Sequence, residues 1–401
     1  MLELYETKER DLYMRQQHDQ QKRNIGNFCF MRMWKRGCIK MTIEWLAGNR
    51  LRGTTAERPA LGLASPSVGG WKELGRTTLG SANSSLSNLG FADKRYYMIL
   101  IDEHGQSGAS TNNFFRAGSS GSLDTGSNYA GRHNSNGTGD GTVTSATSMI
   151  CPISAANGVF HVQYAANLSG KEKLFMGWKN DIITAGAGGV PYRKEFAWKH
   201  VQTANPLDSF ELNTGGGDTF NSGSEIVVLG WDPADTHTTN FWEELASVEY
   251  SGGTALTSGT ITAKKYLWVQ AYLKIASGTV DSNLWRFNAD IQNHYAARYS
   301  RDGVTDPTPN ASISHMNINF GAGTRNNQLI NMFIINNSAN EKLVTGSGIS
   351  QGAIGSGTAP NRLEFASKWA NTTDQITSIQ CTQGNSLNFE AGTIMKVWGS
   401  D

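Results

Sequence analysis

The chain states much of itself twice, and this bounds its fold more tightly than any other feature. Between Trp71 and Gly230, and again between Trp242 and Gly399, similar phrases recur in the same order. Lys94-Arg95-Tyr96-Tyr97 is answered by Lys264-Lys265-Tyr266-Leu267, and Tyr129-Ala130-Gly131-Arg132 by Tyr295-Ala296-Ala297-Arg298. Asn167-Leu168-Ser169-Gly170-Lys171-Glu172-Lys173-Leu174 returns as Asn336-Asn337-Ser338-Ala339-Asn340-Glu341-Lys342-Leu343, and Pro191-Tyr192-Arg193-Lys194-Glu195-Phe196 as Pro360-Asn361-Arg362-Leu363-Glu364-Phe365. The spacing is 170 residues at Lys94, 166 at Tyr129 and 169 at Asn167 and Pro191. A shift this steady, broken by small insertions, marks a duplicated domain, because solenoid repeats run to only about 20–50 residues. Each copy, at about 160 residues, can bury roughly two thirds of its unfolded surface. A whole fold copied in tandem usually builds a surface and not a single catalytic cleft.

Composition selects the class of that fold. Gly is abundant at 45 residues and charged residues are scarce at 17%. Together with the frequent Asn, Ser and Thr, this is a turn-rich β composition. Eleven Trp, twelve Tyr and sixteen Phe argue against disorder, which is poor in aromatics. Strand-like runs occur at Arg95 to Ile101, Val159 to Ala165 and Ile226 to Leu229. They recur at Tyr266 to Tyr272, Leu329 to Ile335 and Thr393 to Trp398. The expected fold is all-β: two tandem antiparallel β-sandwiches, jelly-roll-like, from an internal duplication, behind a short N-terminal extension, with strand order not fixed by the sequence and a Greek-key sandwich as the alternative. The expected boundaries are a charged, partly helical or disordered extension at 1–40, an attachment segment and linker at 41–70, repeat 1 at 71–230, a Pro-broken linker at 231–240 and repeat 2 at 241–401. A linker so short implies sandwiches held side by side.

Charge excludes several function classes. The chain nets +1, so nothing global points to nucleic acid. Residues 1–40 carry nine Lys/Arg and five Asp/Glu, a net +4, which leaves −3 for the remainder. No apolar run approaches the roughly 20 residues that span a bilayer, and with charged opening residues and no apolar stretch after them no signal peptide is expected. Cys29, Cys38, Cys151 and Cys381 form no Cys-x-x-Cys pair. The expectation is free thiols, no disulfide framework, no metal and no cofactor. The Gly-rich stretches Gly186-Ala187-Gly188-Gly189 and Gly355-Ser356-Gly357-Thr358 lack the Gly-Lys-Ser/Thr of a phosphate loop.

The two copies also test one another, since a residue present in both serves the shared fold. Arg193/Glu195 and Arg362/Glu364 stand at i and i+2, on one face of a strand, and read as ion pairs that pin the structure. Glu172-Lys173 and Glu341-Lys342 read as solvated turn charges. Asp124 to Tyr129, answered by Asp290 to Tyr295, reads as an Asx-type turn; the functional alternative is a loop gripping calcium or a sugar hydroxyl, with Asp124 and Asn128 as candidate ligands, although the spacing lacks the regular oxygen ligands of an EF-hand. Trp71 and Trp242 read as core. Trp178 and Trp198 align with Ser347 and Ser367, so packing does not fix an aromatic at either position. An exposed ring offers a flat apolar face to a pyranose, which makes both tryptophans candidate glycan contacts. No residues form a catalytic pattern, and no enzymatic activity is expected.

Trp45-Leu46-Ala47-Gly48-Asn49-Arg50-Leu51-Arg52-Gly53-Thr54-Thr55-Ala56-Glu57-Arg58 resembles the N-terminal segment of structural proteins of environmental, mainly marine, phages. Asp124 to Tyr129 and Ala339-Asn340-Glu341-Lys342-Leu343 resemble repeats in those proteins. The resemblance spans about 42–401 and implies a virion-surface component, assembled in the host cytoplasm: a tail-fibre, receptor-binding or capsid-decoration protein. Expected partners are copies of itself (a trimer is common in phage fibres), other virion proteins and a host-surface glycan, with no nucleic acid and no membrane insertion. The alternatives are a capsid shell or decoration protein without ligand, and a tail-associated polysaccharide depolymerase. The depolymerase would need two carboxylates about 5–10 Å apart in a groove.

Overall fold

In a computed structural model the described residues are 70–401, apart from the short stretches 109–111, 153–156, 234, 236–238, 276–281, 305, 307–309, 321–326, 352–355 and 385–387. The extension at 1–40 and nearly all of the segment at 41–70 lie outside them. The described residues belong to one compact unit, Asn49–Asp401, and no α-helix occurs among them.

Repeat 1 comprises β1 (Lys72–Thr78), β2 (Ser85–Asn88), β3 (Tyr96–Glu103), β4 (Asn112–Ser119), β5 (Ser122–Leu123), β6 (Tyr129–Ser135), β7 (Gly141–Ala146), β8 (Met149–Pro152), β9 (Gly158–Ala166), β10 (Lys173–Ile182), β11 (Tyr192–His200), β12 (Ser209–Thr214) and β13 (Glu225–Trp231). Repeat 2 comprises β14 (Glu243–Glu249), β15 (Ala255–Thr257), β16 (Tyr266–Lys274), β17 (Ser282–Phe287), β18 (Tyr295–Arg301), β19 (Asn310–Ile313), β20 (Met316–Asn319), β21 (Asn327–Ile335), β22 (Lys342–Ser350), β23 (Asn361–Trp369), β24 (Ile379–Gln383) and β25 (Ile394–Ser400). Each expected strand lies within two residues of an observed one.

The strand orders prove the duplication. Repeat 1 has an eight-stranded sheet ordered β1-β13-β3-β9-β10-β11-β6-β7, and repeat 2 has one ordered β14-β25-β16-β21-β22-β23-β18-β19, strand for strand the same. The small sheets also correspond: β2-β12-β4 with β8 and β5 in repeat 1, β15-β24-β17-β20 in repeat 2. Consecutive strands cross each sandwich in pairs. β1 and β2 bond to β13 and β12, while β3 and β4 bond to β9 and β8, which is the wrapping of a jelly roll. Even the bulge at the first strand recurs, between Glu73 and Gly75 and between Glu244 and Ala246.

Alternation drives the layering. Along β3, Tyr97, Ile99 and Ile101 point between the sheets of repeat 1, where they meet Leu86, Phe115, Phe210 and Leu212 of the small sheet. Leu267, Val269 and Ala271 do the same in repeat 2, against Trp285, Phe287 and Cys381. Side chains of the opposite parity on the large sheets are buried too, because the outer faces of the two large sheets pack on one another over part of their area. Asn180 on β10 donates from Nδ2 to the carbonyls of Val344 and Ser367, at 2.8 Å each. Phe160 packs on Tyr266 and Tyr164 on Phe333. Glu225 accepts from Lys265 Nζ at 3.1 Å and from Tyr266 Oη at 2.7 Å.

Several shared phrases acquire reasons. Asn167 accepts from Leu207 N and donates to the carbonyls of Lys94 and Leu207. Asn336 accepts from Ile376 N and donates to the carbonyls of Lys264 and Ile376. Tyr129 Oη accepts from Ala117 N, as Tyr295 Oη accepts from Phe287 N. The drop in spacing from 170 to 166 is one hairpin, since β4 and β5 extend two residues further on each side of the turn than the corresponding part of repeat 2. Both free cysteines among the described residues, Cys151 and Cys381, are buried.

The solvated reading of Glu172-Lys173 and Glu341-Lys342 holds for Glu172 alone. Lys173 and Lys342 are buried, each ending its ammonium on two backbone carbonyls, Leu168 and Lys171 for one, Asn340 and Asn371 for the other. Such carbonyls replace the water a buried ammonium would lose. Glu341 is buried against Lys368, 2.9 Å away. Trp71 and Trp242 are buried as expected.

Candidate functional site

The strand register of repeat 1 lays out a platform on the outer face of its large sheet. Trp178 on β10 stands opposite Glu195 on β11, and Glu195 opposite Asn134 on β6. Two residues along, Met176, Ala197 and Arg132 form a parallel row. Residues directly opposite in an antiparallel pair share a face with Cβ atoms about 4.5–5.5 Å apart. These six side chains therefore form a two-by-three grid. They line a groove of about 290 Å³, to which repeat 2 contributes Arg362 and Glu364 on β23. A second lobe of about 580 Å³ shares Asn134, Asp140, Glu195, Arg362 and Glu364 with the first, so the two lobes form one groove.

The corresponding grid of repeat 2 is closed. Thr345, Ala366 and Arg298 form one row and Ser347, Glu364 and Ser300 the other, and Thr345, Ala366 and Ser300 are buried. Repeat 1 covers much of that face, while the part of its own outer face that carries the grid stays open. Met176 is 49% exposed and Trp178 is half-buried, held edge-on by Tyr164 at 6.1 Å.

Ion pairs set the groove's charge. Arg193 is buried and bridges Glu195 of its own strand to Asp306 of repeat 2, its Nη2 lying 2.7 Å from Asp306 Oδ1. Arg362 Nε lies 2.6 Å from Glu364 Oε1. Both i, i+2 pairs are thus salt bridges, as expected from their spacing. Burial pushes the Glu364 carboxyl above the usual carboxylate range, against the pull of Arg362 and Arg193. Burial also holds His133, at the groove wall, below the ordinary histidine value. Arg132 and Arg362 then face Asp140, Glu195 and Glu364, a nearly balanced set rich in hydrogen-bonding groups around one indole.

The other expected ligand contacts lie elsewhere. Trp198 is 3% exposed and belongs to the core of repeat 1, because its parity on β11 is that of Phe196 and not of Glu195. It offers no ring to a ligand. Asp124 Oδ1 accepts from Gly126 N, and its Oδ2 accepts from Asn128 Nδ2 and contacts His200 Nε2, each at 2.8 Å. This is the Asx turn, with the side chains of Asp124 and Asn128 spent on each other. Neither lines the groove. Met176, Ala197, Arg132 and Asn134 escaped the sequence reading. The available signal was Leu174-x-Met176-x-Trp178 against Leu343-x-Thr345-x-Ser347, apolar alternation kept in one copy only. Among the described residues no three His, Cys, Asp or Glu side chains gather as metal ligands, and no helix is long and apolar enough to cross a membrane.

No family model matches the chain, and no curated protein does. Among solved structures it is similar to the mouse laminin alpha1 chain, domains LG4-5, at 12% identity, covering 83% of this chain and 92% of that one with a TM-score of 0.18. A likeness that low carries no argument, and the fold stands on its own strand order.

Proposed function

We propose that the groove on the outer face of repeat 1 binds a neutral glycan, and that the protein is a virion-surface component presenting it to a host. The observation that carries this reading is Trp178, a half-buried indole on an open strand grid, ringed by Arg132, Asn134, Asp140, Glu195, Arg362 and Glu364. An aromatic face takes the apolar face of a pyranose, and paired charged side chains match vicinal hydroxyls as donors and acceptors. The near balance of charge favours a neutral sugar over an acidic one. Copies of the chain in a homo-oligomer would add weak contacts through avidity. A glycan array probed with the intact chain tests the reading. Retention of a neutral oligosaccharide, weakened about tenfold or more (about 1.4 kcal/mol) in Trp178→Ala with the melting temperature unchanged, supports it. An empty array, or equal binding by the variant, contradicts it.

One observation favours a second reading, glycoside hydrolysis by a depolymerase: Glu195 and Glu364 line the same groove beside Trp178, and Glu364 holds its proton to higher pH than an ordinary carboxyl. Such hydrolysis uses two carboxyl groups flanking one groove, the general acid among them with a raised pKa. On this reading, release of reducing ends from a bound polysaccharide is abolished by Glu364→Gln while binding persists. Absence of release by the native chain removes it.

A further inference from the structure

The interior of the first sandwich holds an ionic cluster that the second does without. Lys179 and Asp181 on β10 and Lys194 on β11 are each no more than 2% exposed. Lys179 stands opposite Lys194 in the register, and Asp181 is the next inward-facing residue of β10. Lys194 Nζ lies 2.7 Å from Asp181 Oδ2, and Lys179 Nζ lies 3.4 Å from Asp181 Oδ1. Both ammonium groups also donate to the Pro152 carbonyl, at 2.5 Å from Lys179 and 3.0 Å from Lys194. Glu103, equally buried, contacts His161 Nε2 at 2.5 Å. By strand register the corresponding residues of repeat 2 are Gly348, Ser350, Leu363, Leu273 and Ile330. The jelly roll therefore folds without these charges, and their presence in one copy asks for another reason.

We propose that Lys194 and Asp181 are joined by a side-chain amide, an intramolecular isopeptide bond that staples β10 to β11. The atoms balance without any co-reactant. The Lys194 ammonium gives one proton to Asp181 Oδ2 along their hydrogen bond. The neutral amine then adds to Asp181 Cγ, forming the Nζ–Cγ bond. A second Nζ proton passes to the departing hydroxyl, the Cγ–Oδ2 bond breaks, and one water leaves. Nothing is oxidised or reduced. Lys179 faces Asp181 Oδ1, the oxygen on which negative charge develops during addition. Burial lowers the Lys194 amine to about 8, so the neutral nucleophile is accessible near neutrality. A buried ion pair carries the desolvation cost of both charges, and the amide removes both. Burial holds His161, the partner of Glu103, below the ordinary histidine value.

Mass spectrometry of the full-length chain decides the matter. The expected result is a denatured mass one water below that of the sequence. Trypsin cuts after Lys179, Arg193 and Lys199, and the digest should return peptides 180–193 and 194–199 joined through their side chains. Lys194→Arg should restore the full mass allowing for the substitution; if that variant does not fold, the native digest alone settles the question. A native chain at full sequence mass overturns the proposal. So does a missing water that maps elsewhere, such as a succinimide at Asp140-Gly141 or Asp302-Gly303.

Discussion

A methyl group at residue 131 separates two ways of filling the same corner. In repeat 1, Gly131 lies opposite Trp198, and a Cβ there would stand 2.2 Å from the indole ring. In repeat 2, Ala297 lies opposite Ser367, and the bulk moves two residues along to Trp369. The polar partners follow: Asp124 holds His200 in one copy, and Asp290 accepts from Trp369 Nε1 at 2.7 Å in the other. Tyr-Ala-Gly-Arg and Tyr-Ala-Ala-Arg are thus two settings of one packing problem. Gly131→Ala is expected to cost about 1–3 kcal/mol by overpacking, and much less in a Trp198→Ser background, a coupling that a double-mutant cycle by denaturant unfolding measures. This also shows why Trp198 misled the sequence reading. An aromatic-to-serine exchange looks like a free surface when the compensating change lies at a neighbouring position of the same parity, and a pairwise alignment of the copies does not reveal it. Trp178, aligned with Ser347, is half-buried and belongs to neither hydrophobic core.

At the scale of strands, the apolar runs and their period of two were legible, as were the turns and the doubled order. Polar interiors were not, because a buried lysine has the same letter as a solvated one. Lys173 and Lys342 look like turn charges until the carbonyls that receive them are in view. Titration exposes the same interiors. Burial holds His133, His161, His200 and His315 below the ordinary histidine value. The unfolded chain therefore takes up protons near pH ~6.5 that the folded chain refuses, and stability falls as pH drops through that window. Asp102 and Glu225 titrate below the usual carboxylate range despite burial, through partners such as His104, Thr78 and Lys265. Their contribution is lost further down, as pH falls below about 4. Glu364, shifted upward, opposes the trend as a single group. Calorimetry at about pH 7.5 and about pH 5 should show a lower melting temperature in acid; an equal or higher one contradicts the assignment.

In the whole molecule the duplication is not simply repeated, because the two large sheets use their outer faces on each other. The contact covers the grid of repeat 2 and leaves that of repeat 1 open, so identical folds acquire different surfaces. Asn180 is the clearest peg, wholly buried and bonded to two carbonyls of the other repeat. Asn180→Ala is expected to cost about 1–3 kcal/mol for the carbonyls left unpaired and to split unfolding into two transitions; one unshifted transition argues that the repeats are coupled by other contacts. The short linker implies neighbouring sandwiches, but which faces meet was not readable in the chain, since Asn180 has no counterpart phrase and the exposed Ile349 takes its place in repeat 2. The central claim, that this asymmetry opens a glycan groove at Trp178, is tested most directly by nuclear magnetic resonance of the tryptophan indoles during titration with a neutral oligosaccharide. The expected result is that the Trp178 indole signal moves while those of core rings such as Trp198 and Trp285 stay fixed. Signals that all stay fixed at saturating sugar, or movement confined to other rings, would contradict it.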